Sequence, residues 1–346
     1  MAENSQLRLL VVGAGGFIGG HIAAEGLRRG FDTWVAVRET TSRRYLSDPR
    51  LHFVVLDYDD ADAMQATLAE AAGGQLWDYI IYNLGATKAA NFGDFNRINY
   101  DYLRNFTAAL ADASLMPRKF LYMSSLSALG PGDEKGYTPY DSSFRPNPNT
   151  RYGLSKIKAE MYLETHPDIP WIIFRPTGVY GPHERDYLMM VKCIDSHFDF
   201  GVGYRRQMLT FIYVADLVTA MFDALASDAT MHRKYIISEP RAYTQKEFRT
   251  MVARALGTKA VIPVKLPLWA AYAASVVAEK IGAVTLKPST LNRDKYKIMK
   301  QRNWTCRVDD AVRDFGFHAD YPLERGIAET VAAYLREKEE AKKKKS

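Results

Sequence analysis

Tyr152 and Lys156 stand four residues apart in Tyr152-Gly-Leu-Ser-Lys156, so on a helix they share one face. A lysine ammonium beside a phenol favours the phenolate. The pair is expected to draw the tyrosine pKa down from about 10 toward the working pH, as general acid–base catalysis needs. Ser124-Ser125 closes the strand-length run Phe120–Met123, and a hydroxyl there could hold and polarise a carbonyl oxygen. A Tyr-x-x-x-Lys pair alone also fits an ordinary amphipathic surface helix. With Ser125 it describes proton transfer at the oxygen of an alcohol or ketone.

A second constellation lies at the start of the chain, where Gly13-Ala-Gly-Gly16-Phe17-Ile18-Gly19 follows the apolar run Leu7–Val12 and opens a helical pattern. Glycines let the backbone turn tightly and approach a pyrophosphate, and the helix N-terminus offers free N–H groups to its oxygens. A merely tight turn uses glycine too, but a position between buried strand and helix is the context that a dinucleotide loop requires. At the end of the next strand the chain reads Val37-Arg38-Glu39-Thr40. Arg38 can take a 2′-phosphate bidentately, which favours NADP(H). NAD(H) stays open, with Arg38 a solvated loop charge and Glu39 on the ribose. Asp57, followed by Tyr58, is an acceptor for the adenine amino group, and Lys156 can donate to the nicotinamide ribose.

These residues need a scaffold that brings strand ends together. Strand-length apolar bursts alternate with stretches of helical period: Leu7–Val12 then Phe17–Arg29, Thr33–Val37, Leu51–Leu56 then Asp60–Ala72, Tyr79–Leu84 then Asn96–Ala113, Lys119–Met123 then Tyr152–Glu164, and Trp171–Phe174. The pattern predicts an α/β fold, a doubly wound parallel sheet of Rossmann type. Beyond Pro176 it becomes irregular, with helices expected at Val214–Ala226, Thr244–Leu256, Leu266–Ile281 and Leu323–Glu337. We therefore expect a dinucleotide-binding domain over 1–175 and a smaller, mostly helical substrate lobe over 176–340, with some segments returning to the first domain. A basic tail occupies 341–346. Ligands of such sheets sit beyond the carboxyl ends of the strands, where the lobe would wall a cleft.

Composition narrows the class further. Hydrophobic residues make up 47% and charged residues 25% of the 346, an ordinary globular balance. The net charge is +6, of which the terminal run Lys342 to Lys345 contributes four. Such a run could touch nucleic acid or anionic lipid, but is expected to be a solvated end, and no nucleic-acid partner is expected. Two cysteines, Cys193 and Cys306, lack metal-ligand spacing or a disulfide framework, which points to a reducing, cytoplasmic compartment and to no metal. Glu3, Asn4, Ser5 and Gln6 lead into a run only one strand long, unlike a signal peptide. Leu266–Ala278 is too short to span a bilayer. It could pack the core of the small lobe, wall an apolar pocket with Trp269 and Tyr272, or make a weak contact with a membrane surface.

Taken with Asn83-Leu84-Gly85-Ala86, Ser124-Ser-Leu-Ser-Ala-Leu-Gly130, Arg175-Pro176-Thr-Gly178-Val179-Tyr-Gly-Pro182 and Phe211-Ile-Tyr-Val-Ala-Asp216, the chain resembles the extended short-chain dehydrogenases/reductases over nearly its whole length. The resemblance implies that Ser125 is the catalytic serine, that Asn99 lies near the active site, and that Pro176, Gly178 and Val179 lie against the nicotinamide. Gly13, Gly16, Phe17, Ile18, Gly19, Leu84, Gly85 and Ala86 would complete the dinucleotide site. Nucleotide-sugar members hold uridine diphosphate with an asparagine after strand six and an arginine before the Val-x-Asp element. Gly178 and Leu209 fall at those positions here, although Arg205 and Arg206 offer another route to a diphosphate.

The Arg-Pro-x-Gly-Val-Tyr-Gly-Pro form is similar instead to 3β-hydroxysteroid dehydrogenases. So is the C-terminal pattern Pro288-Ser-Thr-Leu-Asn292, Trp304, Asp309-Asp310, Phe315-Gly-Phe317 and Gly326 to Thr330. The expectation is an NAD(P)(H)-dependent oxidoreductase that interconverts a secondary alcohol and a ketone on a bulky apolar, steroid-like substrate. Ser125, Leu209 and Trp269 would contact that substrate. A nucleotide-sugar epimerase or dehydratase is the alternative, and a non-catalytic nucleotide-binding regulator a second. The intact Ser–Tyr–Lys set weighs against the regulator. A homodimer is expected from the symmetry habits of soluble oligomers.

Overall fold

The computed structural model describes residues 6–89, 92–285 and 291–343. Glu3, Asn4 and Ser5, the Pro288, Ser289 and Thr290 part of the C-terminal pattern, and Lys344 and Lys345 lie outside the described residues.

The first half alternates as its hydrophobic periods require. β1 (Arg8–Val12) leads to α1 (Phe17–Arg28), β2 (Asp32–Val37), β3 (His52–Val55), α2 (Ala61–Ala72) and β4 (Tyr79–Tyr82). A helical stretch follows, formed by α3 (Phe92–Asn96), a π-helical turn at Arg97–Asp101 and α4 (Tyr102–Asp112). β5 (Lys119–Met123), α5 (Arg151–Glu164) and β6 (Trp171–Pro176) complete it. The second half holds β7 (Gly178–Tyr180), α6 (Arg185–Asp195), β8 (Phe198–Val202), β9 (Phe211–Tyr213), α7 (Val214–Ala226), β10 (Arg233–Ile237) and α8 (Gln245–Leu256). β11 (Ile262–Leu266), α9 (Leu268–Thr285), α10 (Arg293–Lys300), α11 (Asp309–Phe315) and α12 (Leu323–Lys343) end it.

Seven strands form one parallel sheet in the order β3-β2-β1-β4-β5-β6-β10. Helices cover both faces, so β1 and β5 are buried along their full length, as unbroken apolar runs should be. On one face Leu9, Val11 and Phe174 pack with Ile22 of α1 and Leu217 and Met221 of α7. On the other Leu10, Tyr82 and Phe120 pack with Leu68, Phe106 and Leu163 of α2, α4 and α5. Strand order reverses between β1 and β4, which opens a crevice at their carboxyl ends. Gly13 lies at that point with φ +79°, and a Cβ on it would meet the Leu84 backbone at 2.7 Å. Only glycine suits this left-handed, crowded position.

The irregular second half departs most from expectation. β10 returns to the large sheet as its edge strand, while the lobe itself carries two small parallel sheets, β8 with β11 and β7 with β9. α10 has no fully buried residue and α11 is only seven residues long, and neither is among the helices expected from the sequence pattern. The last helix continues past Glu337 to Lys343 and takes in the first residues of the expected tail. α9 differs too: among its described side chains the buried ones are Ala271 and Ser275, while most of the large apolar ones face outward.

Candidate active site

The carboxyl ends of β1, β4, β5 and β6 and the inner wall of the lobe enclose a cleft of about 1140 Å³. Ser125, Tyr152 and Lys156 all face it. Ser125 is placed by the turn after β5, where its Oγ accepts the Ser127 N–H at 3.2 Å. Tyr152 and Lys156 are placed by α5, whose start is fixed by Thr150 accepting the Gly153 N–H at 3.0 Å. Ser125 stands close enough to Tyr152 to favour its ionised form.

The electrostatics differ from the expectation of a lowered tyrosine pKa. Burial pushes the Tyr152 hydroxyl up to about 12, and Ser125 only moderates this. Lys156 is itself buried, which lowers its pKa to about 7 against the opposing pull of Glu160. Its Nζ donates to the Met123 carbonyl at 2.8 Å and to the Tyr122 hydroxyl at 3.3 Å. Burial is the largest cause of both shifts.

Among the other predicted residues, Gly13, Gly16, Phe17, Ile18, Arg38, Tyr58, Leu84, Gly85, Pro176, Gly178, Val179 and Leu209 line the cleft. Gly19, Asp57, Ala86, Asn99 and Trp269 do not. A Cβ on Gly19 would meet the Gly13 carbonyl oxygen at 2.3 Å, so this glycine packs the helix onto its loop. Asp57 accepts the Asp59 N–H at 3.0 Å in a local turn. Fully buried Asn99, in the π-helical turn, accepts the Ala86 N–H at 2.8 Å. It donates to the Ala86 carbonyl at 3.1 Å and to Ser155 Oγ at 2.8 Å. It ties the loop after β4 to α5, the helix that carries Tyr152 and Lys156. Gly85 completes this arrangement, since a Cβ there would lie 3.1 Å from Lys156 Nζ.

Trp269 corrects the expected substrate wall. It is 75% exposed. The inward face of α9 is Ala271 and Ser275, and Ala271 lies about 200° around the helix from Trp269 at 3.6 residues per turn.

The cofactor-facing half suits a dinucleotide. Gly16 caps α1 without a side-chain hydrogen bond, which leaves its first N–H groups for an anion. The buried Tyr58 hydroxyl and Thr177 Oγ1, both on the cleft wall, have no partner among the described residues. Arg38, Thr41 and Ser42 line the same end, whereas Glu39 does not.

Several contributors carry no motif. Buried Glu160, one turn beyond Lys156, receives a hydrogen bond from Ser124 and is gripped by Arg175, whose Nε lies 3.1 Å from each of its oxygens. Its i+4 spacing from Lys156 was the available signal. Asp186 accepts from Lys88 at 2.6 Å and from Lys295 at 3.0 Å, closing the cleft between α6 and α10. Met189, Met190, Cys193, Phe200, Val202, Phe211, Ile298, Met299 and Trp304 give the substrate end an apolar wall, which Glu184, Asp199, Gln207, Gln245 and Asp294 interrupt with polar groups. These come from elements that the sequence pattern did not resolve.

A match to the NAD dependent epimerase/dehydratase family covers residues 9–238, through the whole large sheet. The chain belongs to this family. It is an enzyme of the extended short-chain dehydrogenase/reductase kind. It is similar to a ceramide reductase of Caulobacter vibrioides, 24% identical over 335 residues that span 96% of each chain. An uncharacterized UDP-glucose epimerase of Bacillus subtilis is 25% identical over 238 residues, 61% of this chain and 70% of that one. The fold matches the crystal structure of a Thermus thermophilus UDP-glucose 4-epimerase in complex with NAD, with TM-score 0.74, 19% identity, and coverage of 95% of this chain and 99% of the other. No helix among the described residues is long and apolar enough to cross a membrane.

Proposed function

We propose that this family member is an NAD(P)(H)-dependent reductase of a ketone on a bulky, apolar, lipid-like substrate. The observation that carries this reading is the substrate end of the cleft. A Cβ on Gly178 would meet the Tyr187 hydroxyl at 1.9 Å, so no amide side chain fits where the resemblance calls for a diphosphate anchor. Tyr187 is held by packing on Phe211 and Phe248. Leu209 supplies no charge at the other anchor position. Methionine, phenylalanine and valine around them can bind a substrate by burial, at roughly 25 cal/mol per Å². The ceramide reductase, whose similarity runs the full length of both chains, supports a lipid ketone as the substrate class.

A nicotinamide dinucleotide, when bound, would supply hydride chemistry at the carbonyl carbon. Tyr152 would donate its hydroxyl proton to the carbonyl oxygen, Ser125 would orient that oxygen, and Lys156 would hold the ribose and set the charge beside Tyr152. Oxidation runs the same path backward. Arg38 at the adenosine end supports NADP(H), because a guanidinium pairs bidentately with a 2′-phosphate.

The second reading, a nucleotide-sugar epimerase or dehydratase, draws on the UDP-glucose epimerase relative. The two separate in one experiment. NADPH oxidation is followed with a long-chain ketone and with UDP-sugars, and UDP binding is measured by calorimetry. We expect turnover on the ketone and UDP affinity no tighter than about millimolar, near −4 kcal/mol. A micromolar UDP affinity lost on Arg205→Ala or Arg206→Ala, without ketone reduction, would favour the epimerase.

A further inference from the structure

The lobe carries an apolar surface that none of the described residues covers. β8 and β11 pair in parallel with Phe198 opposite Ile262 and Val202 opposite Leu266. Residues alternate across a strand, so Phe198 and Phe200 share the outer face, where their rings stack at 6.0 Å. Ile262 and Leu266 extend it on β11, and Leu268 and Trp269 continue it at the start of α9. Leu268 reaches back to Gly203, where a Cβ would lie 3.3 Å away. Monomeric proteins seldom leave such a patch bare without a use for it.

The exposed charges on the segments that form it, 197–207 and 258–269, are basic. Arg205, Arg206, Lys259 and Lys265 are exposed and make no ion pair among the described residues. Within 197–207 and 258–269 the sole carboxylate is Asp199, which is buried and bound to Arg249 at 3.2 Å and Gln245 at 3.1 Å. Tyr204, 67% exposed, stands beside the two arginines. Aromatic side chains with basic neighbours and no free carboxylate match the interface of an anionic bilayer. A second copy fits poorly, because a two-fold interface would set these cations against each other with no facing acid.

The surface also runs into the cleft. Phe200 is 52% exposed on the outer face and lines the cleft as well, and Val202 and Gln207 on the cleft wall bracket the loop that carries Tyr204, Arg205 and Arg206. We infer that this face docks reversibly on an anionic membrane surface and places the cleft mouth against the lipid. An apolar ketone then passes from bilayer to Tyr152 without crossing water. The inference deepens the lipid-ketone reading, but its test needs no turnover, so docking and substrate class stand or fall separately.

The test is co-sedimentation of the full-length protein with vesicles of phosphatidylcholine alone and of phosphatidylcholine mixed with phosphatidylglycerol, at low and high salt. We expect binding to the mixed vesicles that salt weakens. Trp269→Glu and Ile262→Glu should each abolish it, and Arg205→Glu with Arg206→Glu should weaken it by about tenfold or more. Circular dichroism and dinucleotide binding should stay as in the wild type. Failure to bind the mixed vesicles, or binding indifferent to these substitutions, overturns the proposal. So does a concentration-dependent dimer in sedimentation that Trp269→Glu dissociates and vesicles do not compete with.

Discussion

Glu160 of α5 and Arg175 of β6 form a buried ion pair that ties the reactive helix to the sheet, with the guanidinium Nε 3.1 Å from both carboxylate oxygens and neither group reaching solvent appreciably. Breaking such a pair leaves an uncompensated charge in a low-dielectric interior. We expect Glu160→Gln to destabilise the protein by about 3–5 kcal/mol, and Glu160→Leu combined with Arg175→Met to regain most of that loss. Urea unfolding of the single and double variants decides. A Glu160→Gln protein as stable as the wild type would show that the pair is dispensable.

Tyr152→Phe keeps the buried ring and removes the hydroxyl that exchanges a proton with substrate. Turnover on an established substrate should fall by roughly 10²–10⁴-fold while dinucleotide affinity changes little. Steady-state kinetics with a separate binding titration make the distinction. Near wild-type turnover would exclude Tyr152 as the proton donor.

Lys156 makes cofactor-free stability depend on pH. Its folded pKa of about 7 lies below the usual 10.5, so over that window the unfolded chain binds more protons and stability rises with pH. Below about pH 7 the folded protein carries the full cost of a buried ammonium. Lys156→Met removes that cost. The variant should gain thermal stability over the wild type at about pH 6, with the gain shrinking toward about pH 10. Melting curves across that range test it, and a pH-independent difference would contradict the assigned pKa.

At the far end of the cleft, Arg38→Ala should weaken NADPH by about 10- to 150-fold, the value of a charge-assisted hydrogen bond of roughly 1.5–3 kcal/mol, and NADH hardly at all. Fluorescence titration of both cofactors is sufficient. Equal losses, or a wild type that favours NADH, would assign the ribose contact to another residue.

What the sequence by itself determined is what local spacing can encode. Buried parallel strands read as unbroken apolar runs, so β1, β5 and the helices between them stand where the periodicity puts them. Gly13 and Gly16 declare a backbone constraint, and Tyr152 with Lys156 share a face because a helix has 3.6 residues per turn. Tertiary structure decided everything that depends on distant segments meeting. Asn99 reads as lying near the active site, but its bonds to Ala86 and Ser155, partners at the end of another strand and on another helix, appear only in the fold. Trp269 reads as a pocket wall, but the rotation of α9 against its neighbours turns it outward. The Tyr152 pKa follows burial, a property of the packed whole, and so moves opposite to the direction that its lysine neighbour suggests. Tyr187 closes the space at Gly178 from a helix without a clear sequence signal, and that contact between positions nine residues apart exists only once α6 has folded back over β7.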